Sequence, residues 1–301
     1  MNQGGRFGSA MVFCLLLAAT VSRADIPQGS VVRTHLKYAQ RSALAQPLLR
    51  SSAALVLDTT HSSVLYSRRA NVAMPIASIT KLMTSLVVME AGQPLDELLE
   101  VTDEDRSTGK GSHSRLLPGT HLTRGDLMHL ALMASENRAA HALGRNYPGG
   151  VAACVAAMNA KARELGMANA HFVEPTGLSD ENVASPEDLS KLVMAAAQVS
   201  AIRDYSTDSN YVVQIGRRLV SFRNTDSLVR RPDWNIVVHK TGYISQAGRC
   251  LVMQTVIEDR TIVIVLLNSF GKQTRVADAR RIRRWMEATL TTHEVSHAAS
   301  T

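Results

Sequence analysis

The sequence has few aromatic residues and no long run of like charges. Phe, Trp and Tyr together make up 4% of the 301 residues, too few rings for the base-stacking surfaces of proteins that bind single-stranded nucleic acid. We therefore expect no nucleic-acid partner. Apolar residues make up 45% of the chain, which is enough for a sizeable core and argues against extended disorder. The formal net charge of +7 gives a general attraction to polyanionic surfaces.

Cysteine is also scarce, with three residues in the chain. Cys154 and Cys250 lie in apolar segments, which is typical of buried free thiols. In an exported protein the two could instead form a disulfide, and this remains the alternative. No group of Cys and His has the spacing of a zinc site, so we expect no metal there.

The N-terminal region has the features of a signal peptide. Arg6 precedes the apolar stretch 10–21, which is shorter than the roughly 20 residues of a membrane span. Small residues before position 25 predict cleavage after Ala24, and hence export. A buried N-terminal helix is the alternative. Residues 25–50 show little pattern and are interpreted as a leader segment.

Strand patterns lie at the two ends of the remaining chain, and helical patterns lie between them. Strands are predicted over 53–57, 64–66, 211–215, 219–222, 236–238, 250–257 and 261–267. Helices are predicted over 76–90, 126–133, 138–144, 151–165, 186–198 and 274–291. This order indicates an α+β protein, in which an antiparallel sheet built from both chain ends is flanked by helices and carries an all-helical subdomain.

Three short elements occur in the order found in serine enzymes that use lysine as a base. They are S-x-x-K at Ser78–Lys81, S-x-N at Ser135–Asn137 and K-T-G at Lys240–Gly242. S-x-x-K alone is weak evidence, because it recurs at Ser107/Lys110 and Ser269/Lys272. Only the first copy lies on a strong helical pattern, and the other two elements each occur once.

The spacing of the first element suits nucleophilic catalysis. Ser78 and Lys81 are three residues apart, so a helix places them on one face. A serine hydroxyl needs a base to remove its proton, and lysine can be that base only as a neutral amine. Burial and a second cation, here Lys240, would both favour the neutral form. Taken singly, Ser78 could also be a helix cap and Lys81 a solvated lysine.

The second element would act between nucleophile and leaving group. We expect Ser135 to relay a proton from Ser78 to the leaving nitrogen, and Asn137 to bind the substrate amide. The alternative for Ser135 is a loop serine that caps the helix after it.

The third element would bind substrate. Lys240 and Thr241 can hold a carboxylate, and Gly242 leaves room for a substrate alongside its strand. The backbone N–H of Tyr243 could form an oxyanion hole with that of Ser78. An edge-strand lysine followed by a bend glycine is the alternative.

Five segments make the resemblance to a known family specific. They are 77–84 (ASITKLMT), 132–140 (LMASENRAA), 172–178 (FVEPTGL), 239–243 (HKTGY) and 247–251 (AGRCL). The chain resembles the low-molecular-mass penicillin-binding proteins of the D-alanyl-D-alanine peptidase family, and within them the D-alanyl-D-alanine endopeptidase group. The similarity spans about 240 residues, roughly positions 50–290. It implies a catalytic domain over 51–290, followed by a polar tail over 291–301.

The resemblance implies a cofactor-free, penicillin-sensitive periplasmic enzyme. Ser78 would form an acyl-ester with peptidoglycan stem peptides, and the D-alanyl-diaminopimelate cross-link would be cleaved. A D-alanyl-D-alanine carboxypeptidase remains an alternative, as do a β-lactamase and a wall-binding protein with idle catalytic residues. Glu174 lies in a context typical of the peptidases, where this acid is structural. The basic residues at 280–284 suggest at most loose membrane association.

Overall fold

The structure is a computed structural model and describes residues 46–106 and 114–298, with side chains up to residue 289. The predicted signal peptide 1–24 and most of the leader segment lie outside the described residues. The strands are β1 (Ser51–Asp58), β2 (Ser63–Arg68), β3 (Met74–Pro75), β4 (Leu98–Val101), β5 (Thr120–Thr123), β6 (Val183–Ala184), β7 (Asn210–Ile215), β8 (Arg218–Arg223), β9 (Asn235–Ile244), β10 (Gly248–Ile257) and β11 (Arg260–Ser269). The α-helices are α1 (Thr80–Glu90), α2 (Arg124–Met133), α3 (Asn137–Arg145), α4 (Gly150–Glu164), α5 (Pro186–Ala196), α6 (Ser200–Thr207) and α7 (Thr274–Ala298).

Five of these strands form one antiparallel sheet in the order β2-β1-β11-β10-β9. The N-terminal strand β1 pairs with the late strand β11, with Leu55 opposite Val265. Val252 of β10 lies opposite Lys240 of β9, so the K-T-G element lies on an edge strand. The sheet is therefore built from both chain ends, and the prediction of an α+β fold is confirmed.

Alternate side chains of β11 enter two separate hydrophobic clusters. Val263 and Val265 belong to the larger cluster, which also contains residues of α1 to α6. Ile264 and Leu266 belong to the smaller cluster with Ile282 of α7. Successive strand residues point to opposite faces, so one face of the sheet packs on the helical insertion and the other on α7. The near-continuous apolar sequence of β11 follows from burial of both faces.

Two predicted helix starts are confirmed in detail. The Thr123 side chain accepts from Asp126 N, and the Asp126 carboxylate accepts from Thr123 N. Ser185 and Asp188 form the same capping box at the start of α5, where proline occupies the first helical turn. These caps satisfy backbone N–H groups that have no partner within the helix.

The short strands β3 to β6 were not among the predicted strands, and β9 is longer than predicted. Three helices also differ from the prediction. The first predicted helix begins as a 3₁₀ turn, Ala77–Ile79, before α1. Helix α6 was not predicted, because its short sequence contains several residues of weak helix propensity. Helix α7 continues to Ala298, into the predicted polar tail, where no Gly or Pro interrupts it.

Cys154 and Cys250 are both buried and free, which confirms the interpretation as buried thiols and excludes the alternative disulfide. Across residues 46–106 and 114–298, no helix combines the length and hydropathy that a membrane span would need.

Candidate active site

The Ser78 hydroxyl lies on the 3₁₀ turn that leads into α1. Ser78 is 8% exposed, and the preceding Ala77 has a φ of 50°, in the left-handed region that residues other than glycine rarely adopt. The Thr80 hydroxyl donates to the Ala77 carbonyl over 2.8 Å. The turn is thus held in a strained conformation by its own helix start, as is common where a reactive side chain is presented.

Two glycines allow other segments to approach this turn. A Cβ on Gly242 would lie 3.0 Å from Ala77 Cβ and 3.1 Å from Ser78 N, so β9 can lie against the turn only without a side chain there. Gly177 has a φ of 82°, and a Cβ there would overlap the Ala77 carbonyl. Glycine tolerates both the conformation and the close approach. The Ser78 turn is therefore flanked by β9 on one side and by the segment around Gly177 on another.

The Lys81 amine is completely buried and bonded to three oxygens. Its Nζ lies 2.9 Å from Ser78 Oγ, 2.7 Å from Asn137 Oδ1 and 2.6 Å from the Thr176 carbonyl. The predicted pairing of Ser78 with Lys81 is therefore present. Asn137, which we expected to bind a substrate amide, contacts the lysine in this structure.

Burial lowers the pKa of Lys81 to about 8, and the negative charges of Glu174 and Glu136 oppose this shift. The expected effect of burial is confirmed, whereas the expected repulsion between the two amines lowers the pKa of Lys240 and not that of Lys81. The lysine is therefore partly neutral near neutral pH, as a base for Ser78 must be.

The Glu174 carboxylate is fully used in holding its own loop. It accepts from Thr176 N and Oγ1 at 2.6 Å each, from Gly177 N at 2.6 Å and from Asn182 Nδ2 at 2.8 Å. These bonds fix the Thr176 carbonyl against Lys81. The expected structural role of this acid agrees with the geometry. The contribution of Thr176 had no sequence signal, because it acts through its backbone oxygen.

The second and third elements meet through Lys240 and Ser135. Lys240 is completely buried, and its Nζ donates to Ser135 Oγ over 2.9 Å and to the Thr241 carbonyl over 2.8 Å. Ser135 has a φ of 60°, again in the left-handed region. Burial lowers the pKa of Lys240 well below its usual value, and the charges of Lys81 and Arg275 lower it further.

Thr225 also joins the second and third elements, and sequence reasoning did not identify it. Its hydroxyl lies 2.7 Å from that of Thr241, and its backbone N–H donates to the Met133 carbonyl over 3.1 Å. Met133 ends α2, two residues before Ser135. Thr225 therefore links the strand that carries Thr241 to the loop that carries Ser135.

Tyr243 is the most exposed of the predicted site residues, at 57%. The Arg249 guanidinium lies over its ring at 4.5 Å from the centroid, and Arg275 donates to the Gly242 carbonyl over 3.0 Å. The role of Tyr243 N–H in an oxyanion hole stays a prediction, as do the roles of the other site residues. Among the described residues, no group of three or more His, Cys, Asp or Glu is placed to hold a metal ion.

The arrangement can support acyl transfer. A hydroxyl next to a partly neutral amine supplies a nucleophile and its base. A second hydroxyl and amine, those of Ser135 and Lys240, bond to each other, and Lys240 lies on the same strand as Gly242, which lies against Ser78 N. The Ser269 copy of S-x-x-K plays no part in it, because Ser269 is buried against Ser51 at 2.7 Å between hydroxyls. The Ser107 copy lies outside the described residues.

Comparison with known proteins agrees with this geometry. The sequence model of a family described as D-alanyl-D-alanine carboxypeptidase matches residues 40–271. A D-alanyl-D-alanine endopeptidase of Pseudomonas aeruginosa is 47% identical over 244 residues, which are 80% of this chain and 79% of the relative. A protein of the same name from Escherichia coli is 45% identical over 253 residues, 83% and 82% of the two chains. The crystal structure of the Streptomyces K15 DD-transpeptidase has a similar fold, with a TM-score of 0.75, 24% identity and coverage of 80% of this chain and 98% of that one.

Proposed function

Because the chain belongs to the D-alanyl-D-alanine carboxypeptidase family of serine peptidases, we propose that it hydrolyses D-alanyl-diaminopimelate cross-links of peptidoglycan through an acyl-enzyme on Ser78. The observation that carries the proposal is the hydrogen bond of 2.9 Å between Lys81 Nζ and Ser78 Oγ, in which the lysine side chain is completely buried. The two relatives at 47% and 45% identity carry the name D-alanyl-D-alanine endopeptidase, which supports the cross-link as the substrate.

Acylation begins with proton transfer from Ser78 to neutral Lys81. The freed oxygen attacks the D-alanyl carbonyl, and the C–N bond breaks as the leaving nitrogen takes up a proton. The Ser135 hydroxyl, which accepts a hydrogen bond from the Lys240 amine, gives its proton to the leaving nitrogen. It regains a proton from the Lys81 ammonium, so the proton taken from Ser78 is passed on and Lys81 becomes neutral again. Water then cleaves the ester by the reverse transfers and restores the Ser78 hydroxyl.

The third element would hold the leaving residue. The residue released from the cross-link carries a carboxylate next to the scissile nitrogen, and Lys240 and Thr241 offer an ammonium and a hydroxyl to such a group. Close approach of Gly242 to Ser78 N brings the backbone of β9 alongside the reacting carbonyl. This supports an oxyanion hole formed by the N–H groups of Ser78 and Tyr243.

A D-alanyl-D-alanine carboxypeptidase would use the same residues. Relatives that carry that name are 26–29% identical to this chain, which favours the endopeptidase. The β-lactamase alternative needs a carboxylate that activates water for deacylation. Glu174 is occupied by five donors of its own loop, and so is unsuited to that task.

The setting of this reaction is also part of the proposal. We place the enzyme in the periplasm, with its signal peptide removed after Ala24, because its substrate lies there. Its partners are peptidoglycan stem peptides and, as covalent inhibitors, β-lactams. Nucleic acid is not a partner, and the basic residues at 280–284 give at most loose contact with a membrane.

Labelling with a fluorescent penicillin, followed by peptide mapping, tests the nucleophile. We expect the label on the peptide that contains Ser78, and its loss in S78A. The matched variant S107A removes the serine of another S-x-x-K sequence and should label like the wild type.

A second assay tests the substrate. Incubation with cross-linked muropeptide dimers should release monomers. Release of D-alanine from pentapeptide without dimer cleavage would instead identify a carboxypeptidase, and penicillin turnover without a lasting adduct would identify a β-lactamase.

A further inference from the structure

A threonine outside the three elements makes a short hydrogen bond to the third element. Thr225 lies between β8 and β9, and its Oγ1 lies 2.7 Å from Oγ1 of Thr241. Among residues 46–106 and 114–298, Thr225 is the one hydrogen-bond partner of the Thr241 hydroxyl. Thr241 is 4% exposed, so water has little access to it. The direction of the single hydroxyl proton of Thr241 therefore depends on Thr225.

The position of Thr225 is fixed through its backbone and its neighbour in sequence. Its N–H donates to the Met133 carbonyl over 3.1 Å, and Met133 ends α2 two residues before Ser135. The preceding residue, Asn224, is buried, and its amide donates to the Ser206 carbonyl over 2.8 Å. These bonds hold Thr225 beside Thr241 without using the proton of its hydroxyl.

The two threonine hydroxyls can share their protons in two ways. Each hydroxyl has one proton to donate and can also accept. The Thr225 hydroxyl donates either to Thr241 Oγ1 or to the Met133 carbonyl, which lies 3.3 Å away. In the first arrangement the Thr241 proton is free for a substrate. In the second arrangement Thr241 donates to Thr225, and its proton is already used.

A change from the second arrangement to the first gives up little. The Met133 carbonyl also accepts from Thr225 N over 3.1 Å, so it keeps a hydrogen bond when the hydroxyl turns away. A carboxylate next to Thr241 favours the first arrangement, because a hydrogen bond to an ionised acceptor is about twice as strong as one between neutral groups. Thr241 then accepts from Thr225 and donates to the carboxylate, and hydrogen bonds in such a chain strengthen one another.

We propose that Thr225 is a positioning residue that donates to Thr241 and so turns the Thr241 proton toward the carboxylate of the substrate. The inference rests on the proposed function, in which Lys240 and Thr241 hold the carboxylate next to the scissile nitrogen. Thr225 acts through Thr241 and takes no part in the proton transfers that begin at Ser78. Its hydroxyl therefore contributes to the preference for substrates that carry a carboxylate at this place.

The test compares a penicillin with its methyl ester, which lacks the free carboxylate. The second-order rate constant for acylation of Ser78 is measured by intact-protein mass spectrometry, with the full chain as wild type and as T225V. Valine nearly keeps the shape of threonine and keeps the backbone bond to Met133, but it has no hydroxyl. We expect T225V to react about 3- to 10-fold more slowly with the acid, the effect of one net hydrogen bond, and to stay within about twofold with the ester.

Two variants are matched controls, and a third guards against misfolding. T225S keeps the hydroxyl and should retain the wild-type ratio of acid to ester rates. T255V removes a buried hydroxyl that donates to the Asn235 carbonyl over 2.7 Å. Thr255 lies opposite Ile236 at the start of β9, away from the third element, so T255V should leave the ratio unchanged. T225A also lacks the hydroxyl and gives the same comparison if T225V does not fold.

An equal loss toward acid and ester in T225V would overturn the inference, because a general distortion of the site produces that pattern. A ratio in T225S as low as in T225V, or an equal fall of the ratio in T255V, would overturn it too.

Two results with the wild type concern the proposed function itself. If no acyl group appears on Ser78, the proposed nucleophile is wrong. If acid and ester react equally fast, the third element does not bind the carboxylate, and the role of Thr225 fails with it. An unchanged ratio in T225V, when the wild type is acylated on Ser78 and prefers the acid, refutes only the role of Thr225.

Discussion

Replacement of Asn137 by aspartate tests Lys81 as the proton acceptor. Asn137 Oδ1 lies 2.7 Å from Lys81 Nζ, and aspartate keeps the shape of the side chain while placing a full negative charge against the amine. An opposite charge at such a distance shifts a pKa by about 1–3 units toward the charged form. The pKa of Lys81 should therefore rise from about 8 into a range of about 9–11.

The expected loss of rate follows from the fraction of neutral lysine. At pH equal to the wild-type pKa of about 8, about half of Lys81 is neutral. In N137D that fraction falls to between about a tenth and a thousandth, so acylation slows by about 5- to 500-fold. Because the amine must lose its proton to act as a base, the rate recovers as the pH is raised through the new pKa.

The measurement is the second-order rate constant of acylation by a fluorescent penicillin as a function of pH. N137L is the control, since it removes the same acceptor without adding charge, and should not move the rise in rate to higher pH. The reasoning is refuted if N137D keeps the wild-type midpoint, or if its rate is reduced by one constant factor over the whole pH range.

Three further outcomes are expected. E174Q loses acceptors for its own loop, so its free energy of unfolding should fall by about 2–4 kcal/mol in urea denaturation, whereas the exposed-site change E181Q should stay within about 0.5 kcal/mol. G242A places a Cβ 3.1 Å from Ser78 N and should slow acylation about 10- to 100-fold with little change in Tm; wild-type kinetics would contradict the close approach. Burial raises the pKa of Cys154 to about 12 and of Cys250 to about 11, so neither thiol should react with a thiol reagent near neutral pH before unfolding, and rapid labelling of native protein would show otherwise.

The parts of the fold that could be predicted are those with local signals. Helix ends are determined by residues close in sequence. Two such predictions agree with the structure: the capping box at Ser185 and the glycine that follows α4, Gly166. The alternation of β11 between two cores was not visible, since both faces are apolar. Helix α6 was missed because tertiary packing, more than propensity, stabilises a short helix.

The site shows the same division between local and long-range information. The three motifs predict the nucleophile, the two amines and the second hydroxyl, because each motif is a local pattern whose spacing within a helix or strand can be recognised in the sequence. Thr225 lies 16 residues from Thr241 in sequence, yet their hydroxyls are bonded. The order of the strands and the turn before β9 create this contact, and no periodic pattern in the sequence predicts it.

The three motifs do not predict the protonation states of the two buried lysines. Two buried amines near one another cannot both stay protonated near neutral pH without carboxylates, because repulsion and desolvation act in the same direction. The motif residues fix where the amines are. Burial lowers the pKa of both amines, and the charges of Glu174 and Glu136 oppose this shift at Lys81. These acids lie in loops whose local sequence is constrained by turn geometry, and their effect depends on distance through the fold. Enzymes with the same three motifs can therefore differ in pH dependence without any change in the motifs, and such differences should be sought in the carboxylates around the two lysines.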